Sequence, residues 1–310
     1  MPDIIIDAPA PAQPQRDGWL PVDADGNQVY WKSYGDGARS LLTLHGGPGM
    51  PHGYLQPLDR LATSDRTVVF YDQLGAGVSV VPESYDGWTV DACVEQVEAV
   101  RTGLGLGQID LFGNSWGGWL AQSYALAYPE NLRTLILSGT SASIAEYLAN
   151  VQALRVGLGV DKHRVLMKAE ASKDFDDPEY LDVIRELNAT HLRRAWPFSL
   201  ERSVREFEKL EEAGLFTPGA AYERMWGPNE FCCTGPLIDW DVTAELGRIS
   251  TPTLILCGLH DEVTVACSQT LANGIPDNEF VIFGNSSHVN MLEREAELYL
   301  AAIDNFINRH

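Results

Sequence analysis

Ile109-Asp110-Leu111-Phe112-Gly113-Asn114-Ser115-Trp116-Gly117-Gly118-Trp119-Leu120-Ala121-Gln122-Ser123-Tyr124-Ala125-Leu126-Ala127-Tyr128 is the stretch that decides how this chain folds. It opens on a short β-prone run, turns sharply at a G-x-S-x-G pentapeptide, and continues as an apolar helix that Pro129 ends. Strand, turn, helix is the order that lifts a serine hydroxyl above the edge of a sheet. Glycines are required at 113 and 117 because the strained serine leaves no room for a Cβ on either side. The bland alternative is a serine that only caps a helix N-terminus. The rest of the sequence argues against it.

Outward from this stretch, further short apolar or β-branched runs recur at Leu41–Leu44, Thr67–Tyr71, Leu132–Leu137, Pro252–Cys257 and Glu279–Phe283, separated by helix-length segments. Continuous apolar strands alternating with helices imply a mostly parallel sheet covered on both faces. Ligand sites in such sheets lie off the carboxyl ends of the strands, and each motif discussed below follows one of these runs. Ahead of them, Trp19 to Tyr34 reads as a β-hairpin turning at Asp23-Ala24-Asp25-Gly26-Asn27. Between Ser141 and Gly247 the alternation stops, and amphipathic charged patterns such as Tyr180–Leu192 and Ser199–Ala213 replace strands. The expected organisation is therefore a core built from residues 1–140 and 248–310, with a helical cap at 141–247. The cap aromatics, Trp196-Pro197-Phe198 and Tyr222 to Phe231, are expected to roof a pocket. Gly103, Gly105 and Gly107 imitate part of a dinucleotide fingerprint, but they precede a strand instead of following one.

At 310 residues and 45% hydrophobic content, the chain can bury a large core, and its size fits one large α/β domain with an insertion. Its formal charge of -21 repels nucleic acid and anionic membranes, so neither is an expected partner. A cationic substrate would be drawn by the same field. Met1 to Asp17 carries acidic residues and prolines around its isoleucines, unlike a signal peptide, and no stretch approaches the ~20 apolar residues of a membrane span. Five cysteines without C-x-x-C spacing fit a reducing cytoplasm, with the vicinal Cys232-Cys233 read as small buried apolar residues. No H-E-x-x-H cluster is present, which disfavours metal-dependent peptidase chemistry, and no cofactor is expected.

A serine nucleophile needs a base, and the base an orienting acid. His288 follows the Phe280–Phe283 run and the small-residue loop Gly284-Asn285-Ser286-Ser287, from which an imidazole reaches over the sheet towards Ser115. Asp261 follows the Leu254–Gly258 run, so the order Ser115, Asp261, His288 is that of α/β-hydrolases. Among the other histidines, His45 is assigned to a structural, oxyanion-loop role and His52 and His260 are placed near the pocket. His163, His191 and His310 read as solvated or cap positions. Charge developing on the substrate carbonyl needs preorganised donors. The loop His45-Gly46-Gly47-Pro48-Gly49 supplies the Gly47 amide, which pairs with that of Trp116.

With these residues in place, the chain resembles the proline iminopeptidases, serine aminopeptidases of the α/β-hydrolase fold. The landmarks are His45–Gly49, Asp72-Gln73-Leu74-Gly75-Ala76-Gly77-Val78-Ser79, Gly113–Gly118, Gly258–Glu262 and Ser287-His288. In the cap, Gly227-Pro228-Asn229-Glu230-Phe231 with Asp239-Trp240-Asp241 is similar to the tricorn-interacting aminopeptidase of that family. The resemblance implies that Glu230 and Glu262 hold the substrate's free α-amino group and that Tyr222 lines the same place. It implies as substrate a small peptide, an amino acid amide or an aminoacylated small molecule with a free amine. Many bacterial members carry arginine where Leu74 and Val78 stand here, so strict proline preference is not implied. The same scaffold also serves amino acid amidases and enzymes that remove an aminoacyl group from macrolactam intermediates. A general esterase would share the triad without using Glu230 and Glu262.

Overall fold

The computed structural model describes residues 13–310; residues 1–12, on which most of the reading of the N-terminal stretch falls, lie outside it. Strands β1 (Arg16–Pro21) and β2 (Gln28–Tyr34) form the antiparallel hairpin expected from the sequence, with Leu20 opposite Val29. Its turn is closed by the Asp23 carboxylate, which accepts the Asn27 N–H at 2.9 Å.

Six further strands follow: β3 (Arg39–Leu44), β4 (Arg66–Tyr71), β5 (Ile109–Asn114), β6 (Leu132–Ser138), β7 (Thr253–Gly258) and β8 (Asn278–Phe283). They join the hairpin in one eight-stranded sheet of order β1-β2-β4-β3-β5-β6-β7-β8. From β4 to β8 every pairing is parallel, and β2 joins β4 antiparallel. Strands β5 and β7 are buried along their whole length, which is why they read as unbroken apolar runs. Strand β8 departs from that reading. It is the edge strand and leaves Ile282 45% exposed, because no neighbour covers its outer side.

Helix α1 (Val90–Gly103) starts where the Thr89 hydroxyl accepts the Ala92 N–H at 3.2 Å. It stops at Gly105, whose φ of 67° lets the Leu106 N–H reach back to the Arg101 carbonyl at 2.9 Å. The glycines that imitate a nucleotide fingerprint are thus a helix stop. Helix α2 (Trp116–Ala127) runs through the core behind β5, and α8 (Val265–Gly274) and α9 (Ala296–Arg309) complete the layers. At the far end of the sheet, Asp110 is sealed from water and accepts two hydrogen bonds from the Arg39 guanidinium and one from Thr134.

Between β6 and β7 lie α3 (Ile144–Gly157), α4 (Val160–Ser172), α5 (Pro178–Leu187), α6 (Leu200–Glu212) and α7 (Ala220–Met225). The amphipathic stretch at Tyr180–Leu192 is α5 with a π-helical turn at Asn188–Leu192, and Ser199 caps α6 through the Arg202 N–H. The chain leaves and rejoins the sheet at one neck. There Ile144 N–H donates to the Trp240 carbonyl at 3.0 Å and Val242 N–H to the Ala142 carbonyl at 2.9 Å. No helix among the described residues is long and apolar enough to cross a membrane, and the five cysteines are free thiols.

Candidate active site

Ser115 sits between β5 and α2 at φ 57° and ψ -125°, a left-handed conformation that costs roughly 1–3 kcal/mol and persists only where its surroundings enforce it. Here they do. The Ser115 N–H donates to the Ser138 carbonyl at 3.0 Å, Thr140 Oγ1 donates to the Ser115 carbonyl at 2.9 Å, and Asn114 Nδ2 donates to Ser138 at 3.1 Å. A Cβ on Gly113 would stand 2.1 Å from the Gly117 carbonyl oxygen, and one on Gly117 would stand 2.2 Å from that of Leu44 in β3. Both glycines of the pentapeptide are required by close backbone approach.

The loops after β7 and β8 meet behind this turn. Asp261 Oδ1 accepts from His288 Nδ1 at 2.7 Å and from the Val263 N–H at 2.8 Å, while Oδ2 is buried without a hydrogen bond. The His288 backbone N–H donates to the His191 carbonyl at 3.1 Å, so the π-helical turn of the inserted segment fixes the histidine loop. From behind, buried Glu293 accepts from the Ser287 N–H and hydroxyl and, at 2.7 Å, from the Arg194 N–H. His288 and Ser115 line the same cleft, together with Gly47, Tyr54, Phe216 and Glu230. Burial pushes the imidazole towards neutrality, but the charge and hydrogen bond of Asp261, then the charges of Glu262 and Glu230, override it and raise its pKa to about 10.

Glu262 is 1% exposed; its Oε1 lies 3.9 Å from His288 Nε2, and its Oε2 has no partner. Glu230 reaches the cleft from the turn after α7. That turn is clamped by Tyr147, whose hydroxyl donates to the Glu230 carbonyl at 2.8 Å, and by Trp226, whose Nε1 donates to Asn229 at 2.9 Å. Both carboxyls are driven upward, first by desolvation; for Glu262 the charges of Glu230 and Asp261 add to it, while His288 opposes the rise in both. Tyr222 is buried on α7 against Glu230; burial, then that neighbour's charge, holds its hydroxyl protonated. The start of α7 is seated on the two glycine-rich loops, with Gly219 N–H on the Gly49 carbonyl at 2.9 Å.

The loop carrying Gly47 is braced from two sides. Buried His45 accepts the Gln73 N–H on Nε2 at 2.9 Å, and burial lowers its pKa to about 4, so it stays neutral. Gln73 in turn receives the Trp116 indole N–H at 2.9 Å. On the other side the Tyr54 hydroxyl accepts from the Gly46 N–H and donates to Asn114 Oδ1, both at 2.8 Å. Trp116 opens α2, so its own N–H is among those a helix leaves without an intrahelical acceptor.

Of the eight residues singled out for the site, Ser115, His288, Gly47 and Glu230 line the cleft; Trp116 follows Ser115, Asp261 and Glu262 lie against His288, and Tyr222 lies against Glu230. Several other readings need correction. His52 does not line the cleft: its Nδ1 bonds Asp72 at 2.7 Å, and Asp72 spends its other oxygen on the Val78 N–H. His260 is not among the residues that line the cleft either, its carbonyl accepting from His191 Nδ1; His191 lies in the inserted segment, one of the two places expected for it. Trp196 and Phe198 roof nothing; both are exposed, with the Arg194 guanidinium stacked 3.6 Å from the Phe198 ring. Tyr54, Tyr147 and Glu293 were missed, since no spacing marks them.

Tyr54→Phe tests the brace. It leaves the Gly46 N–H and Asn114 Oδ1 buried and unpaired, each at a cost of about 1–3 kcal/mol. The expected result is a fall in kcat of about 10- to 100-fold with KM little changed, read from steady-state kinetics.

A mostly parallel sheet, a strained serine between strand and helix, and an Asp–His pair just past the ends of β7 and β8 define an α/β-hydrolase, and the family model described as alpha/beta hydrolase fold matches residues 39–164. The chain is 40% identical over 288 residues to the proline iminopeptidase of Saccharolobus solfataricus, covering 92% of this chain and 90% of that one. It belongs to the proline iminopeptidase family. Among solved structures it is similar to VinJ (TM-score 0.83, 32% identity, 96% and 99% of the two chains). It is also similar to the proline iminopeptidase of Mycobacterium smegmatis (TM-score 0.80, 29% identity, 95% and 98%).

Proposed function

We propose that this protein releases an unblocked N-terminal amino acid, proline or another, from small peptides or amino acid amides through an acyl-Ser115 intermediate. The observation that carries the proposal is the pair of carboxylates, Glu230 lining the serine cleft and Glu262 buried 3.9 Å from His288 Nε2. The charge of Glu230 raises the Glu262 pKa and both acids are costly to desolvate, a conflict that a cation relieves. A substrate ammonium held there, against Tyr222, puts the first residue's carbonyl over Ser115 and leaves no room for anything upstream.

In the first half-reaction Ser115 Oγ attacks that carbonyl and passes its proton to His288 Nε2, while Asp261 holds Nδ1–H and fixes the ring. The Gly47 and Trp116 amides receive the oxyanion. His288 then protonates the departing amine, and water, activated by the same nitrogen, frees the amino acid. The cycle draws on no cofactor. Residues 141–247 serve as a cap over the core of 1–140 and 248–310: Glu230 and Phe216 reach the cleft from this segment, which limits the leaving group. Free thiols throughout suit a reducing cytoplasm.

The test compares free-amine and N-acetylated leucyl, alanyl and prolyl anilides. Removing the ammonium leaves two buried acids unpaired, so kcat/KM is expected to fall by about 100- to 1,000-fold on acetylation. Equal rates on both sets would make the protein a general esterase or amidase.

A further inference from the structure

For the proposed reaction the lone pair that matters is on His288 Nε2, because that nitrogen must take the Ser115 proton. The group held near it is the Glu262 carboxylate, Oε1 at 3.9 Å, on a side chain almost wholly buried. A carboxylate at that position favours the protonated ring, in which Nε2 has no lone pair to offer.

We propose that Glu262 holds His288 in its charged, non-basic form until a substrate ammonium pairs with Glu262, so that the substrate's own amine switches on the general base. This rests on the reading of Glu230 and Glu262 as the amine anchor. Three carboxylates face the imidazole: Asp261 at Nδ1, Glu262 near Nε2, and Glu230 across the cleft. Around them Tyr147 from α3 and Tyr222 from α7 are neutral phenols. His191 turns its carbonyl to the His288 backbone and its ring to His260. Behind the loop, Glu293 is occupied by Ser287 and Arg194. The imidazolium is therefore the cation that faces all three acids; against the pull of burial, Asp261 raises its pKa most, and Glu262 and Glu230 add to the rise.

A bound ammonium supplies a second positive charge between Glu230 and Glu262. The imidazolium then loses part of its stabilisation and gives its Nε2 proton to water. The freed lone pair accepts the proton of Ser115 Oγ. Asp261 keeps its hold on Nδ1 throughout, so ring orientation is unchanged. A neutral acyl group that fits the cleft meets a protonated base, which adds a kinetic barrier to its missing anchor. Glu262 is thus a positioning and specificity residue acting through His288 as well as a contact for the amine.

The experiment follows hydrolysis of p-nitrophenyl acetate, an ester without an amine, across pH with and without methylammonium, potassium replacing it at equal ionic strength. Competitive inhibition of a free-amine anilide verifies that methylammonium occupies the site. The expected result is an acidic limb that moves down by about one unit or more, roughly tenfold faster turnover within the limb. In Glu262→Gln the limb already lies low and does not respond to the amine. An unmoved limb in the occupied wild type, or a Glu262→Gln limb where the wild type has it, overturns the switch. The anilide separates this from the anchor: if Glu262→Gln loses anilide turnover while the ester limb stays, the anchor stands and the switch falls. Full anilide turnover removes the anchor itself. Should Glu262→Gln fail to fold, the methylammonium arm decides alone, and absence of inhibition there counts against both.

Discussion

Ser115→Ala is expected to cut turnover of a free-amine anilide by on the order of ten-thousand- to million-fold, the largest loss any single change here should cause. The magnitude follows from what the hydroxyl does: without it no acyl intermediate forms, and His288 has no proton to accept. What remains are the Gly47 and Trp116 donors and the carboxylate anchor, enough for a small residual rate above that in water. Alanine keeps the Cβ, so the left-handed backbone at φ 57° stays as strained as before and the melting temperature should hardly move. Ser115→Gly separates the two properties. Glycine adopts this φ without penalty, so that variant should be equally inactive yet more stable by about 1–2 kcal/mol. A sulfonyl fluoride should add one mass label to the wild type and none to either variant. If Ser115→Ala kept a tenth of the wild-type rate, Ser115 would not be the nucleophile.

How the chain could be read depended on what kind of constraint each residue obeys. The pentapeptide at Gly113–Gly117 was legible because backbone crowding admits no alternative: the contacts at 2.1 and 2.2 Å that forbid a Cβ are the reason for the pattern. Buried strands such as β5 and β7 were legible because both faces are covered, and β8 read like them although its outer edge is bare, since an edge is a property of the sheet and not of the strand. Asp261 and His288 followed from strand order, as each stands just past a strand end. Glu230 and Glu262 did not. Nothing in their local sequence distinguishes an acid buried in a cleft from one on a helix surface, and they were found through family resemblance alone. Tyr54 and Glu293 act by long-range hydrogen bonds, from a 3-10 turn to Asn114 and from a loop to Arg194, contacts that no period or motif encodes. His52 was misplaced for the same reason: its partner is Asp72, twenty residues away in sequence.

Asp261→Asn is the second change expected to act strongly, by about a thousand- to ten-thousand-fold in kcat with the fold intact. Two features decide the direction. Asp261 Oδ1 accepts the Val263 N–H as well as His288 Nδ1–H, so an asparagine that keeps its oxygen there preserves the ring tautomer but loses the charge that stabilises imidazolium in the transition state. If it flips, its amide donates to Nδ1, moves the ring proton to Nε2 and abolishes the base. Either orientation costs rate. Because Asp261 is the strongest upward influence on His288, the activity left should also set in at lower pH than in the wild type, which a kcat–pH profile measures. A variant within tenfold of the wild type at its own optimum would remove Asp261 from the mechanism. The comparison with Glu262→Gln is the sharper reading of the same physics. Both substitutions delete one negative charge beside one imidazole and both lower its pKa. Yet the change at Nε2 should speed turnover of a neutral ester, and the change at Nδ1 should slow it. The charge on Nδ1 supports the base while it works, whereas the charge near Nε2 keeps occupied the lone pair that the reaction needs.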